Sequence, residues 1–133
     1  MIYGIGIDIV GIDRIRRILA KYPERFPKRI LHPQEYSDYS VRKDQAAFLA
    51  RQFAAKEAVS KALASGFSKN LYPSSILIGR DRCGKPYVTL TTQTSQIANR
   101  TILVSISDEA EYAVAHAIVV EQACYTGDEQ ETR

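Results

Sequence analysis

Residues 48–66, FLARQFAAKEAVSKALASG, restrict the fold more than any other stretch of the chain. Ala, Leu, Lys, Glu, Gln and Arg dominate and no proline interrupts, so the stretch reads as one long helix. Its pattern extends over about 44–65, with Gly66 as the expected C-terminal cap. At helical spacing Glu57 has Phe53, Ala54 and Lys61 for neighbours, with Ala64 a turn beyond. An acid and a base therefore sit side by side in a largely apolar stripe, where packing alone would put Leu or Val. Gln45, Gln52, Lys56 and Ser60 form a separate polar face, the expected place for surface groups. The remainder of the chain has to be built around this helix and has to account for the acid–base pair.

Residues 2–10, IYGIGIDIV, are strand-like. Alternation puts Tyr3, Ile5, Ile7 and Ile9 on one face and Ile2, Gly4, Gly6, Asp8 and Val10 on the other. Asp8 follows two glycines on its own face, a surface bare of side chains and open to close approach. Asp13 directly precedes the periodic segment RIRRILAKY and is the expected helix cap, which leaves Asp8 with no capping task.

The spacing predicts a short helix over 13–22, with Ile15, Ile18, Leu19 and Tyr22 inward and Pro23 ending it. Arg14, Arg17 and Lys21 line one outward side, and Arg25, Lys28 and Arg29 follow. The formal net charge is only +3, no argument for nucleic-acid binding, yet residues 13–29 hold seven basic side chains against two acidic ones. Like charges on one face repel and gain nothing from each other, so the stripe points to an acidic partner.

Residues 31–43 open with a proline-bounded turn and continue as a short helix or loop containing Glu35. Past the long helix the chain turns strand-rich. Residues 76–80 and 87–92 flank the turn Asp81-Arg82-Cys83-Gly84-Lys85-Pro86 and read as a hairpin. Residues 94–100 suit a brief helix or loop. Residues 101–107 and 112–120 form a second hairpin, in which His116 is expected in the core or at an interface. The order predicts a single α+β domain over 1–125, a largely antiparallel sheet packed on one long helix and shorter ones, with an acidic flexible tail at 126–133. Two cysteines, Cys83 and Cys124, form no disulfide framework and suit a reducing cytoplasm. The beginning of the chain lacks the pattern of a signal peptide, and no apolar run approaches the ~20 residues of a membrane span.

Several chemistries drop out on motif grounds. No phosphate-cradling glycine loop is present, Gly4-x-Gly6 being too short, and His32 and His116 are the only histidines. No nucleophile elbow or Cys–His pair appears. Asp8, Glu57 and Lys61 survive. Carboxylates in apolar settings need partners. Two readings stand open: a structural Glu57–Lys61 ion pair with Asp8 at the surface, or a divalent-cation site. Magnesium takes one or two carboxylates, several waters and substrate phosphates, and an adjacent lysine steadies phosphate charge during transfer.

Four blocks carry a resemblance: Gly4-Ile5-Gly6-Ile7-Asp8-Ile9-Val10; Phe48-Leu49-Ala50-x-x-Phe53-Ala54-Ala55-Lys56-Glu57-Ala58-x-x-Lys61-Ala62; Gly84-Lys85-Pro86-Tyr87-Val88; and Val104-Ser105-Ile106-Ser107. In this order they resemble the holo-acyl-carrier-protein synthases, small bacterial phosphopantetheinyl transferases. The resemblance implies transfer of 4′-phosphopantetheine from coenzyme A to a serine of apo acyl carrier protein, with release of 3′,5′-ADP, in fatty acid biosynthesis. It implies Asp8 and Glu57 as magnesium ligands and Lys61 as the lysine that steadies the phosphate. It puts Gly66 and the Gly84-Lys85-Pro86 turn near coenzyme A, and Arg14, Arg17, Lys21 and Arg25 against the acidic carrier. It also implies a homotrimer with active sites between subunits, and it leaves the general base open among Glu57, Glu35 and a water.

Four positions depart from the family pattern. Gln52 stands for the usual Arg, Ala64 for the first glycine after the helix, Asp108 for a frequent His and Gly11 for an acidic residue. Two other functions fit the same residues: a non-catalytic module that docks acidic proteins, and a magnesium-dependent phosphohydrolase.

Overall fold

The computed structural model describes residues 1–64, 71–91 and 99–122. Strand β1 (Ile2–Gly11) runs directly into α1 (Ile12–Lys21), followed by α2 (Arg25–Ile30), a 3-10 turn (Pro33–Glu35), α3 (Tyr36–Val41) and the long α4 (Gln45–Ala62). A second 3-10 turn (Pro73–Ser75) leads into the hairpin β2 (Ile76–Arg80) and β3 (Pro86–Leu90), and the chain returns through β4 (Arg100–Asp108) and β5 (Tyr112–Glu121). The expected α+β architecture is present, with the strands split into a three-stranded antiparallel sheet, order β1-β5-β4, and the separate β2-β3 hairpin.

Small residues bring α4 unusually close to the sheet. On β5 the inward row is Ala113, Ala115, Ala117 and Val119, all fully buried. On β1 it includes Gly4 and Gly6. A Cβ on Gly4 would lie 2.0 Å from the carbonyl oxygen of Ala62, and one on Gly6 would lie 2.0 Å from that of Ala58. The two bare positions read from the alternation are thus where the helix backbone rests on the strand. The opposite face of β1 stays uncovered in the single chain, with Ile5, Ile7 and Ile9 all more than 60% exposed.

The helices correct the sequence reading in several places. Helix α1 starts one residue earlier than expected, capped by Gly11, because the Ile12 N–H is taken by the Glu111 carbonyl at 2.9 Å. Asp13 therefore lies in the first turn, where its charge still favours the positive helix end. Tyr22 is 42% exposed rather than inward, since the chain turns at Pro23. Helix α2 was not expected: Pro27 sits within its first turn, where a missing N–H costs nothing.

The largest correction concerns α4. Gln52, Lys56 and Ser60, expected on an outer face, are 7%, 0% and 1% exposed. Twelve of the eighteen residues of α4 are buried, with the sheet on one side and α1–α3 and β2 on the other. A helix at the centre of a domain has no outer face for polar groups.

Helix α4 also ends earlier than expected. Its last turn closes at Leu63, and Ala64 takes a left-handed conformation with φ of 57°. Gly66, the expected cap, lies outside the described residues, as do 92–98, most of the expected brief helix, and the 126–133 tail. A side chain in the left-handed region costs roughly 1–2 kcal/mol that glycine avoids, less the entropy glycine loses on folding. Ala64→Gly is expected to stabilise the protein by about 0.5–1 kcal/mol, seen as a higher urea midpoint at unchanged slope. Among the described residues no helix is long and apolar enough to cross a membrane.

Candidate active site

The close seat of α4 on β1 builds the site. Asp8 points to the helix side, two residues beyond Gly6, and its side chain is 17% exposed. Lys61 passes over the bare Gly6 surface, and its Nζ donates to the Ile7 carbonyl at 3.0 Å and to Asp8 Oδ1 at 3.1 Å. Glu57, one turn earlier on the same side of α4, is half-buried. Burial pushes its carboxyl above the ordinary glutamate range, the nearby Asp8 charge pushes it further, and Lys61 opposes both.

The three predicted residues therefore come together, in an arrangement that differs from the one expected. Lys61 pairs with Asp8, 53 positions away, rather than with Glu57. The lysine is also not in an apolar pocket, since half of its side chain is exposed. Two carboxylates thus come near each other beside the Lys61 ammonium, and Glu57 resists ionisation first through its burial and then through the charge of Asp8.

That donor set suits magnesium. Among the described residues no group of three or more His, Cys, Asp or Glu comes together. Asp8 and Glu57 thus offer two carboxylates and leave the rest of an octahedron to water and phosphate oxygens, the usual pattern for this ion.

The other predicted residues, among those the structure describes, make no hydrogen bond or ion pair with this centre. Gly84, with φ of +81°, forms the tip of the β2–β3 hairpin, where Asp81 Oδ1 accepts from the N–H groups of Cys83 and Lys85 at 2.8 and 2.9 Å. Pro86 opens β3, and no hydrogen bond or ion pair among the described residues joins this turn to Asp8, Glu57 or Lys61. Arg14, Arg17, Lys21 and Arg25 are all exposed along α1 and the start of α2. Beside them Ile18, Tyr22, Arg25, Phe26 and Arg29 line a cleft of about 270 Å³ with an apolar floor and an arginine rim.

A buried polar cluster went unread in the sequence. Lys56 Nζ donates to Glu35 Oε1 at 2.5 Å and to the Ile30 carbonyl at 2.6 Å. The other carboxylate oxygen of Glu35 accepts from Gln52 Nε2, which also reaches the Ile78 carbonyl at 3.3 Å. Oε1 of Glu35 further takes the His32 N–H at 2.6 Å. With both oxygens engaged and 3% exposure, Glu35 is removed from the candidates for general base. Two departures from the family pattern also find roles here: Gln52 belongs to this cluster, and Asp108 pairs with Arg51 at 3.2 Å.

A family model described as the 4′-phosphopantetheinyl transferase superfamily matches residues 4–117. The chain belongs to this superfamily. A holo-[acyl-carrier-protein] synthase from Nitrosococcus oceani is 43% identical over 119 residues, 86% of this chain and 77% of the relative. Among solved structures, the holo-[acyl-carrier-protein] synthase of Neisseria meningitidis aligns with a TM-score of 0.82 at 33% identity, over 91% of this chain and all of that one. The Bacillus anthracis synthase in complex with CoA (3′,5′-ADP) aligns with a TM-score of 0.80 at 36% identity, over 92% of this chain and 99% of its own. The phosphopantetheinyl transferase fold is thus matched from β1 to β5, the span that positions Asp8, Glu57 and Lys61.

Proposed function

We propose that this chain is a holo-acyl-carrier-protein synthase, transferring 4′-phosphopantetheine from coenzyme A to a serine of apo acyl carrier protein and releasing 3′,5′-ADP for fatty acid biosynthesis. The observation that carries this reading is the meeting of Asp8, Glu57 and Lys61 at one half-open edge, in a chain of this superfamily.

Asp8 and Glu57 would hold magnesium, which when bound neutralises the pyrophosphate and allows two carboxylates to lie beside it. Lys61, held over the strand by the Ile7 carbonyl and Asp8, presents a half-exposed ammonium to the phosphate that takes up charge. The serine oxygen attacks the phosphorus that bears the pantetheine arm, and the bond to the departing 3′,5′-ADP breaks. The serine proton passes to Glu57 or to a water that it orients. Arg14, Arg17, Lys21 and Arg25 supply the positive field that draws in the acidic carrier. The Gly84-Lys85-Pro86 turn, with Gly66, serves the nucleotide end of coenzyme A.

Incubation with coenzyme A, magnesium and apo acyl carrier protein, followed by mass spectrometry of the carrier, tests the reading. The carrier is expected to gain one phosphopantetheine, to gain none in EDTA, and to gain it again when magnesium is restored. A carrier that binds but never gains mass points to a docking module, and coenzyme A cleaved without any carrier points to a hydrolase.

The uncovered face of β1 supports assembly as a homotrimer. On that face Ile5 lies beside Ile118 of β5, and Ile118 beside Leu103 of β4, so with Tyr3, Ile7 and Ile9 an apolar surface runs across the sheet, the kind that marks an interaction site. Light scattering is expected to report the mass of three chains, and Ile7→Asp to lower it. A wild-type mass of one chain would sink the assembly. A cytoplasmic setting accords with the exposed free thiol of Cys83, with the protein expected in the cytosolic fraction of lysed cells.

A further inference from the structure

Lys56 and Glu57 are consecutive on α4, yet they face two different parts of the molecule. Glu57 turns to Asp8 and the phosphate edge. Lys56 turns the other way, is wholly buried, and spends its two hydrogen bonds on Glu35 and on the carbonyl of Ile30, the last residue of α2. Helix α2 is short, six residues, and rests on the domain through Pro27 and Ile30, its buried residues. It carries Arg25, Phe26 and Arg29, three of the five residues that line the basic cleft. The ammonium also faces the negative end of α2, where carbonyls lack partners within the helix. Glu35 extends the link in both directions, holding the start of the Pro33–Glu35 turn through the His32 N–H and holding α4 again through Gln52.

We infer that Lys56, with Glu35, is a positioning element that holds the carrier-docking helix α2 at a set place relative to Glu57, and so sets where the carrier serine arrives. A purely structural ion pair in a core is readily replaced by apolar residues of like volume, often without loss of stability. What such a replacement cannot keep is the directional hold on the Ile30 carbonyl. The inference rests on the reading of Arg25 and its neighbours as the docking surface.

The test is a pair of kinetic titrations on Glu35→Gln/Lys56→Met, which removes both buried charges together, with thermal melting to establish that the variant folds. The carrier is varied at saturating coenzyme A, then coenzyme A at saturating carrier, both with magnesium. The expected result is a loss of about ten- to a hundredfold in kcat/KM for the carrier, the scale for misplacing a reactant by part of an ångström, with KM for coenzyme A within about twofold of wild type. Unchanged carrier kinetics in a folded variant would overturn the inference, as would equal losses toward carrier and coenzyme A, which would assign the pair to the phosphate edge instead. Arg25→Glu in the wild-type background isolates the underlying reading. If it leaves the carrier KM unmoved, the docking surface itself is wrong and the inference falls with it.

Discussion

Glu57→Gln is expected to abolish transfer, by about 10³-fold or more in kcat/KM, in a protein that remains folded. The amide keeps the shape and one acceptor oxygen but loses the charge, which leaves Asp8 as the one carboxylate of the pair to hold and place the cation. Asp8→Asn should be comparably inactive and should also free Lys61, whose only ion pair among the described residues is with Asp8. The check is the carrier mass assay at saturating magnesium. Turnover near wild type in either variant would sink the metal assignment.

The same substitution has an opposite effect on stability, and the sign follows from the carboxyl's environment. Burial and the Asp8 charge raise the Glu57 pKa above its ordinary 4.5 in the folded chain. A group with a raised folded pKa stabilises the fold below its unfolded value and loses that contribution as pH rises through the folded value. At neutral pH without metal, the ionised Glu57 is therefore a burden on the fold. Glu57→Gln is expected to raise the melting temperature in EDTA by ~1–3 °C, while adding magnesium stabilises the wild type alone. For catalysis, transfer is expected to fall as pH drops and protons compete with magnesium for the Glu57 carboxylate, and a higher magnesium concentration should move that fall to lower pH.

Legibility in the sequence followed the physics of each element. On β1 the period of two holds from Gly4 onward, so the bare face of Gly4 and Gly6 and the placement of Asp8 beyond it could be read directly, whereas Ile2, read onto that same face, lies before a register irregularity and is exposed. The charge pattern of α1 was legible because one side of that helix does face water. Helix α4 misled because a helical wheel assumes one wet face and one dry one, and this helix is dry on nearly every side. Lys56 therefore looked like a surface group when it is the most buried charge among the described residues, and Lys61, placed in an apolar stripe, is half in solvent. Glu35 carried no sequence signal of its partner, since the pairing spans 21 positions and depends on how α2 and α3 fold back over α4. Helix α2 was hidden by Pro27, which forbids a helix interior but not a first turn.

Lys56→Met is expected to be strongly destabilising although it is conservative in shape. Methionine matches the lysine stem in length and flexibility, so it leaves little cavity, and the loss comes almost entirely from charge. It strands the Glu35 carboxylate at 3% exposure with only neutral donors, the His32 N–H and the Gln52 amide, and leaves the Ile30 carbonyl without its ammonium. Breaking one side of a buried pair costs about 3–5 kcal/mol, a fall of roughly 10–20 °C in Tm for a domain of this size. Burial already presses the Lys56 ammonium below its usual range, with Glu35 pulling the other way, so the pair has little net surplus to lose when both members go. Glu35→Gln/Lys56→Met should accordingly recover most of the loss, and that non-additivity is the signature of a direct pair. If the double variant melts no higher than the single one, the damage lies in packing around α4 and the pair is not what holds α2 in place.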